Sequence, residues 1–305
     1  MIPITSRAAA PARGRLAAAA VLLALATTGA SAASTVVLPH AFCPASDPLL
    51  RDGFDAVAAV PHSPSNGSGG AGPGDVTRTI AVPGVGTRSY YLHVPAAYTP
   101  ARAWPLLLAL RGASVPTAPA AQQVRIDWSG WADVGGFIVI APVGESTQGG
   151  WGAAGDAAEI SSALDDALAA YNVERSRVYL WGFSAGGHYG HALALDNTDV
   201  FAAYGVSAGA LQMYACSDNG SFQPACGSWL PTIQPKIPVD IHIGNGDPLY
   251  TSGQVDARHD GLRFDNGGWT PGRDLWFVVF AGGHTYSVAQ LGEIWNHICP
   301  FALGP

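Results

Sequence analysis

Residues 176–197 read SRVYLWGFSAGGHYGHALALDN, and this stretch decides the fold. It contains an uninterrupted apolar run, VYLWG at 178–182, of the kind that forms buried parallel strands. Gly-Phe-Ser-Ala-Gly completes the turn, and the residues at 188–197 that follow are typical of a helix. Small residues two positions before and after Ser184 allow a strand to turn sharply into a helix without a steric clash. We therefore predict that Ser184 lies at the carboxyl end of a strand, with its hydroxyl exposed as a candidate nucleophile.

Further strands and helices are predicted on both sides of this turn. Residues 88–95 alternate like a strand with one buried face. Short apolar runs predict buried strands at 105–110, 137–141, 239–244 and 275–280. Helical spacing falls between the runs or after them, notably at 159–170 and 287–297. Strands that alternate with helices predict an α/β protein, with a mostly parallel central sheet and helices on both faces.

A serine hydroxyl is a weak nucleophile at neutral pH, so Ser184 requires a base and a carboxylate that orients the base. In proteins with this turn the two partners follow the serine in the order acid, then histidine. Asp247 comes directly after the predicted strand 239–244, and His284 comes directly after 275–280. Both residues therefore stand where open α/β sheets assemble their sites. His259 with Asp260 is the alternative pair, but it lies in a charged stretch between the two strands, where a solvated face or a crossover helix is expected.

The reaction at Ser184 also needs donors for the developing oxyanion. One donor is expected to be the backbone amide of Ala185, at the positive end of the helix that follows the nucleophile. The second should come from the loop after an early strand. Here that loop contains Gly112 and Ala113, and we predict that the amide of Ala113 is the second donor, with Gly112 allowing the close approach.

These motifs together resemble the polyhydroxybutyrate depolymerase-type esterases, a group that includes feruloyl and acetylxylan esterases. The resemblance covers roughly residues 76–300, and its motifs occur in the same order and at similar spacing. They are RSYYLHVP, WPLLLALRGA, FIVIAPVG, Gly150-Trp151, SRVYLWGFSAGG, IHIGNGD and AGGH. The resemblance implies an α/β-hydrolase fold, the triad Ser184, Asp247 and His284, oxyanion donors at 112–113, and Trp151 as a wall of the acyl pocket.

One position departs from the pattern of that group. Where its members usually have His-Gly before the oxyanion turn, this chain has Arg111-Gly112. Because the oxyanion donor is a backbone amide, we expect hydrolysis to survive the change. We expect Arg111 either to contact the substrate, which would favour acidic substrates, or to alter the conformation of the loop.

The amino-terminal residues predict an export signal and an extension. Residues 1–32 combine early arginines, an apolar run and small residues at the cleavage position, which are the features of a signal peptide. Residues 33–75 are expected to form an extension whose Gly-, Pro- and Ser-rich part, 61–75, is a flexible surface loop or linker. The catalytic domain is predicted at 76–305. The mature protein is therefore expected to be secreted or periplasmic, with no membrane association.

The four cysteines fit an oxidising compartment. Three pairings are possible, of which we favour Cys216 with Cys226 and Cys43 with Cys299. Zinc binding by the cysteines is the alternative, but the chain has no Cys-x-x-Cys pair. The formal net charge is −7 and no basic cluster stands out, which argues against nucleic-acid partners.

The sequence thus predicts a serine hydrolase that acts on carboxylic esters by two-step acyl transfer and needs no metal or organic cofactor. A polyester substrate, as for a polyhydroxybutyrate depolymerase, is the main expectation. Feruloyl or acetylxylan esters are the alternative substrates. A peptidase, an acyltransferase that uses a cell-wall sugar, and a binding protein with a degenerate site are the alternative functions.

Overall fold

The computed structural model describes residues 35–37, 62–218, 223–251 and 255–304. The strands are β1 Thr35–Val37, β2 Gly74–Val82, β3 Gly86–Val94, β4 Trp104–Leu110, β5 Ile138–Pro142, β6 Val173–Phe183, β7 Ala203–Ser207, β8 Val239–Gly244, β9 Leu275–Phe280 and β10 Phe301–Leu303. The helices are α1 Thr117–Gly135, α2 Asp156–Ala170, α3 Ala185–Asp196, α4 Cys226–Trp229, α5 Pro248–Thr251, α6 Asp260–Asn266 and α7 Val288–Ile298. Every strand and helix predicted from the sequence is present, with its ends shifted by a few residues or fewer in most cases.

Eight strands form one twisted sheet in the order β2-β3-β5-β4-β6-β7-β8-β9. The β2–β3 and β3–β5 pairs are antiparallel, and every pair from β5 through β4 to β9 is parallel. The sheet is therefore mixed but mostly parallel, as predicted. β1 and β10 form a separate antiparallel pair.

Helices cover both faces of the sheet because the strands alternate their side chains between two cores. In β4, Leu106, Leu108 and Leu110 belong to the core beneath α2 and α3. The intervening Leu107 and Ala109 belong to the core beneath α1 and α7. All residues of β4 are buried, which explains why its sequence is a continuous apolar run.

Two elements near the site escape sequence reasoning. Helix α1 contains glycine and serine and has no strong apolar stripe, yet it buries Trp128 and Ala132 against the sheet. Strand β7 is interrupted by Gly205, a poor strand former. Gly205 is required by packing, since a Cβ placed there would lie 2.4 Å from Cγ2 of Ile294 on α7.

The Gly-rich segment before β2 lies on the surface but is attached to the domain. Ser65 donates its amide to Val173 and its hydroxyl to Tyr171, both at 2.8 Å. Gly70 donates its amide to Ala170 at 2.9 Å. Residues 62–70 therefore form a docked segment and not the flexible linker expected from composition, because the backbone finds acceptors where α2 meets β6. The predicted signal peptide and most of the extension lie outside the described residues.

The predicted disulfide between Cys216 and Cys226 is confirmed, with a Cα–Cα distance of 4.9 Å. Cys299 is fully buried just beyond the end of α7. Its proposed partner, Cys43, lies outside the described residues, so that pairing stays a prediction. No helix among the described residues is both long and apolar enough to cross a membrane.

The contact between β7 and α7 predicts a stability difference between two glycine substitutions. Gly205→Ala should lower the free energy of unfolding by roughly 1–3 kcal/mol, because the new methyl group overpacks the contact with Ile294. Gly130→Ala, on the exposed face of α1, meets nothing within 4 Å and should raise it by about 0.5–1 kcal/mol. Urea unfolding measures both. An unchanged midpoint for Gly205→Ala would show that α7 does not press on β7.

Candidate active site

Ser184 occupies a strained turn between β6 and α3. Its backbone has φ 52° and ψ −117°, in a region that residues with a side chain rarely adopt. The turn is possible because the residues two positions before and two positions after Ser184 are glycines. A Cβ at Gly182 would lie 2.1 Å from the carbonyl oxygen of Gly186, and a Cβ at Gly186 would lie 2.4 Å from that of Leu110. The amide of Ser184 donates to Ser207 at the end of β7, which fixes the turn to the sheet.

The structure brings the three predicted residues of the triad together. Nε2 of His284 lies 2.7 Å from Oγ of Ser184. Nδ1 of His284 lies 2.8 Å from Oδ2 of Asp247. Asp247 is fully buried, whereas the side chain of His284 keeps 37% of its exposure. The arrangement allows the imidazole to take the serine proton while the buried carboxylate holds its orientation.

The loops that carry the acid and the base are joined by backbone hydrogen bonds. The amide of Asn245 donates to Phe280, and that of Gly246 donates to Gly282, both at 2.8 Å. A Cβ at Gly244 would lie 2.3 Å from the carbonyl oxygen of Gly283, so the loops touch through their backbones. Since β8 and β9 are adjacent and parallel, residues that follow them meet at the same edge of the sheet.

The rival pair His259 and Asp260 is not assembled as a base and its acid. His259 pairs with Asp256, and both lie just before α6 in the connection between β8 and β9. Asp260 is fully buried, where Arg263 contacts it at 2.7 Å and the amide of Leu211 donates to it. Burial raises the pKa of Asp260 to about 7 against the opposing effect of Arg263. The predicted crossover helix is α6.

An aromatic cluster supports the base, and sequence reasoning did not identify it. The ring of Phe183 lies 5.4 Å from that of His284. Tyr286 packs edge-on against Phe183 and Trp181 at 4.8 and 5.0 Å. Its hydroxyl donates to Asp127 of α1 at 2.5 Å, and burial together with this bond raises the pKa of the phenol. The position of Tyr286 shortly after the base is the sequence signal that points to it.

His188 lies one helical turn after the nucleophile and stays uncharged. Its Nδ1 accepts a hydrogen bond from the amide of Ala210 at 2.8 Å. Burial, together with the charge of His284, lowers its pKa to about 4. A neutral His188 places no competing positive charge beside the triad.

The expected oxyanion donors lie around Ser184. Ala185 is the first residue of α3, so its amide has no acceptor within the helix. Within the described ranges, the amides of Gly112 and Ala113 donate to no other backbone group. A Cβ at Gly112 would lie 3.4 Å from the Cβ of Ser184, which places this loop beside the nucleophile.

Arg111 is fully buried, with its guanidinium turned away from the solvent. It donates to the carbonyls of Val143 at 2.7 Å, Gly149 at 2.5 Å, Gly112 at 3.0 Å and Gly150 at 3.3 Å. Burial lowers its pKa. The expectation that Arg111 binds the substrate does not fit this placement, because its donors are used by backbone carbonyls. Arg111 instead ties the oxyanion loop to the loop that follows β5.

Two buried carboxylates complete this support and oppose the pKa shift of Arg111. Asp156 accepts the amides of Glu145, Gly152 and Ala153 at 2.7–2.8 Å. Glu159 accepts the amide of Gly144 at 2.9 Å. Burial raises the pKa of both carboxyl groups. The loop after β5 is therefore held through its backbone, whose carbonyls bind Arg111 and whose amides bind Asp156 and Glu159.

Trp151 belongs to this support and is only 3% exposed. Its indole N–H donates to the carbonyl of Arg111 at 2.8 Å. Its ring lies 4.7 Å from the guanidinium and stacks on Tyr189 at 6.0 Å. Trp151 therefore stands behind the oxyanion loop, and the structure does not present it as an open wall of an acyl pocket.

Comparison with known structures identifies the fold. The structural match to a ferulic acid esterase covers 74% of this chain and 97% of the esterase chain, with a TM-score of 0.56 and 17% sequence identity. The match to dipeptidyl peptidase 4 from Porphyromonas gingivalis covers 74% of this chain and 35% of the peptidase chain, with a TM-score of 0.51 and 15% sequence identity. The protein thus has the α/β-hydrolase fold, with a serine, histidine and aspartate triad at the carboxyl edge of its sheet. The fold alone does not distinguish an esterase from a peptidase.

Sequence comparison adds one curated relative, while no family model matches the chain. A bifunctional acetylxylan esterase/xylanase from Neocallimastix patriciarum is 35% identical over 104 residues. The match covers 33% of this chain and spans about 15% of the length of that relative. The two activities in that name are those of the relative.

The contacts of Arg111 predict a specific loss of rate. Arg111→Lys keeps the charge, but an ammonium cannot bond all the carbonyls that the planar guanidinium reaches. Displacement of the oxyanion loop should lower kcat for a p-nitrophenyl ester by about 100-fold with little change in KM. Arg102→Lys, just before the opposite end of β4, is the matched control and should keep full activity. Equal kcat values for the two variants would refute the role of Arg111.

Proposed function

We propose that this protein is a serine esterase that cleaves carboxylic esters through an acyl-enzyme on Ser184. The observation that carries the proposal is the continuous hydrogen-bonded chain from Ser184 through His284 to Asp247, at 2.7 and 2.8 Å. In a hydrolase fold, this geometry is that of an active nucleophile. It also argues against a degenerate binding protein.

The reaction proceeds in two steps. Oγ of Ser184 attacks the ester carbonyl while Nε2 of His284 takes its proton and then protonates the leaving alcohol. Asp247 stabilises the imidazolium that forms, and the amides of Gly112, Ala113 and Ala185 stabilise the oxyanion. Water then attacks the acyl-enzyme by the same route and releases the acid. Apart from the substrate and water, each step uses only these residues.

Feruloyl or acetyl esters of plant polysaccharide are the proposed substrates. Two findings support them: the fold match to a ferulic acid esterase and the 104-residue match to an acetylxylan esterase/xylanase. Neither relative is named as a polyhydroxybutyrate depolymerase. Feruloyl or acetyl esters therefore replace a polyester as the main expected substrate. The burial of Arg111 further removes the cation that was expected to favour acidic substrates.

The proposed site of action is outside the cytoplasm. The signal-like residues 1–32 support this placement. The disulfide between Cys216 and Cys226 supports it independently, since such bonds persist mainly in oxidising compartments.

The nucleophile is tested by one substitution. Ser184→Ala should lower kcat/KM for p-nitrophenyl acetate by at least about 10⁴-fold, since nucleophilic attack is lost. Circular dichroism should show an unchanged fold, and Ser129→Ala, on α1, serves as the control. A fluorophosphonate probe should label the wild type and the control but not Ser184→Ala. Undiminished hydrolysis by Ser184→Ala would remove the assignment, and an unlabelled wild type would favour a binding protein.

The substrate class is tested by a panel of esters. We expect release of ferulate from methyl ferulate or of acetate from acetylated xylan to exceed hydrolysis of a 3-hydroxybutyrate oligomer by more than about tenfold, a transition-state difference of about 1.4 kcal/mol. Amides matched to the best ester distinguish a peptidase. Preferred hydrolysis of the oligomer would restore the polyester reading, and preferred hydrolysis of the amide would replace the esterase by a peptidase. Product that forms only with an added sugar acceptor would indicate acyl transfer.

A further inference from the structure

Three potential metal ligands meet between strand β8 and the last turn of α7. Asp240 and His242 are the second and fourth residues of β8, and His297 lies in the last turn of α7. Because Asp240 and His242 are two positions apart in a strand, their side chains leave the same face of the sheet. Asp247 follows β8 in the next loop, whereas Asp240 and His242 lie within the strand, so none of the three is a member of the triad.

The donor atoms of the cluster are close to one another. One potential donor atom from each residue lies within 4.8 Å of the other two. Oδ2 of Asp240 lies 2.7 Å from Nδ1 of His297, and 3.3 Å from Nε2 of His242. Oδ1 lies 3.2 Å from the same Nε2. Two ligands at about 2.0–2.2 Å from a tetrahedral zinc ion stand roughly 3.3–3.5 Å apart, so only small side-chain rotations are needed.

The burial of the cluster points to a cation. The side chains of Asp240 and His242 are fully buried. Oδ1 of Asp240 lies 3.2 Å from Nε2 of His242 but forms no hydrogen bond with any described residue, and Nδ1 of His242 has no hydrogen-bond partner there either. A buried carboxylate oxygen without a well-directed hydrogen bond is costly, and a bound cation would remove that cost for Oδ1.

We propose that Asp240, His242 and His297 form a structural binding site for a divalent transition-metal ion of the zinc type. Two imidazoles and one carboxylate are a donor set that suits zinc and poorly suits magnesium or calcium, which prefer oxygen ligands. His297 keeps 34% of its side-chain exposure, which gives the ion a path from the solvent and leaves room for water as a fourth ligand. The ring of Trp276 stacks on His297 at 4.8 Å and holds its orientation.

The site would act on stability and not on the chemical step. A metal ion held by β8 and α7 ties the last turn of α7 to the sheet. Helix α7 begins shortly after the loop that carries His284 and packs on β7 through Ile294 and Gly205. The proposal does not depend on the esterase function, because its readouts are metal content and thermal stability.

The test uses the full chain and zinc chloride as the probe. After treatment with EDTA, addition of zinc at about 100 times its Kd should raise Tm by roughly 5 °C, whereas magnesium should not. After dialysis, mass spectrometry should find about one zinc ion per chain. His297→Gln, whose amide can still donate to Asp240, should lose the bound zinc and the shift. His259→Gln replaces another histidine that pairs with an aspartate and is the matched control; it should keep both.

Three outcomes would overturn the proposal. The first is a wild type that retains no more zinc than His297→Gln. The second is a rise in Tm that magnesium reproduces. The third is a fall in the Tm of His297→Gln that is equal with EDTA and with zinc, since this would identify the cluster as a hydrogen-bonded ion pair without metal. Should His297→Gln fail to fold, the zinc content and Tm of the wild type still decide the question.

Discussion

The backbone of Ser184 is held in a conformation that its side chain disfavours, and the rest of the site depends on it. The strain persists because the turn is clamped on each side. Gly182 and Gly186 touch backbone atoms so closely that a methyl group could not fit, and the amide of Ser184 is bonded to β7. The same turn places the first amide of α3 beside the nucleophile. The same turn therefore fixes the position of the Ser184 hydroxyl and the position of one oxyanion donor.

The loop after β4, which carries the other oxyanion donors, is positioned in a different way. The buried guanidinium of Arg111 binds several backbone carbonyl groups there and in a neighbouring loop. Arg111 bonds the carbonyl of Gly112 and reaches across to the loop after β5, whose amides are held by Asp156 and Glu159. A buried guanidinium is costly unless its donors are satisfied, and here backbone carbonyls satisfy them. The charge therefore serves the geometry of the loop and not the recognition of a substrate.

The sequence predicted the parts of the fold in which local pattern and tertiary environment agree. The bounds of strands β8 and β9 match the prediction. β8 is buried throughout, whereas β9 lies at the edge of the sheet and is partly exposed, so only β8 is the buried strand that the sequence predicted. Asp247 and His284 followed from these bounds, since residues after neighbouring parallel strands share an edge. Strand β7 and helix α1 escaped prediction because packing overrode weak propensity. Gly205 is in a strand because α7 needs the space, and Trp128 is buried although α1 has no strong stripe.

By itself, then, the sequence determined the turn at Ser184, the order of the triad and the alternation of strands and helices, because these depend on spacing and on residue size along one chain. Only the tertiary structure decided what Arg111, Trp151 and the segment 62–70 do. Their roles depend on carbonyl groups supplied by other parts of the chain. The same holds for Asp240, His242 and His297, which meet only because the last turn of α7 packs beside β8. A side chain's type shows which partners it can satisfy, but the fold selects the partner.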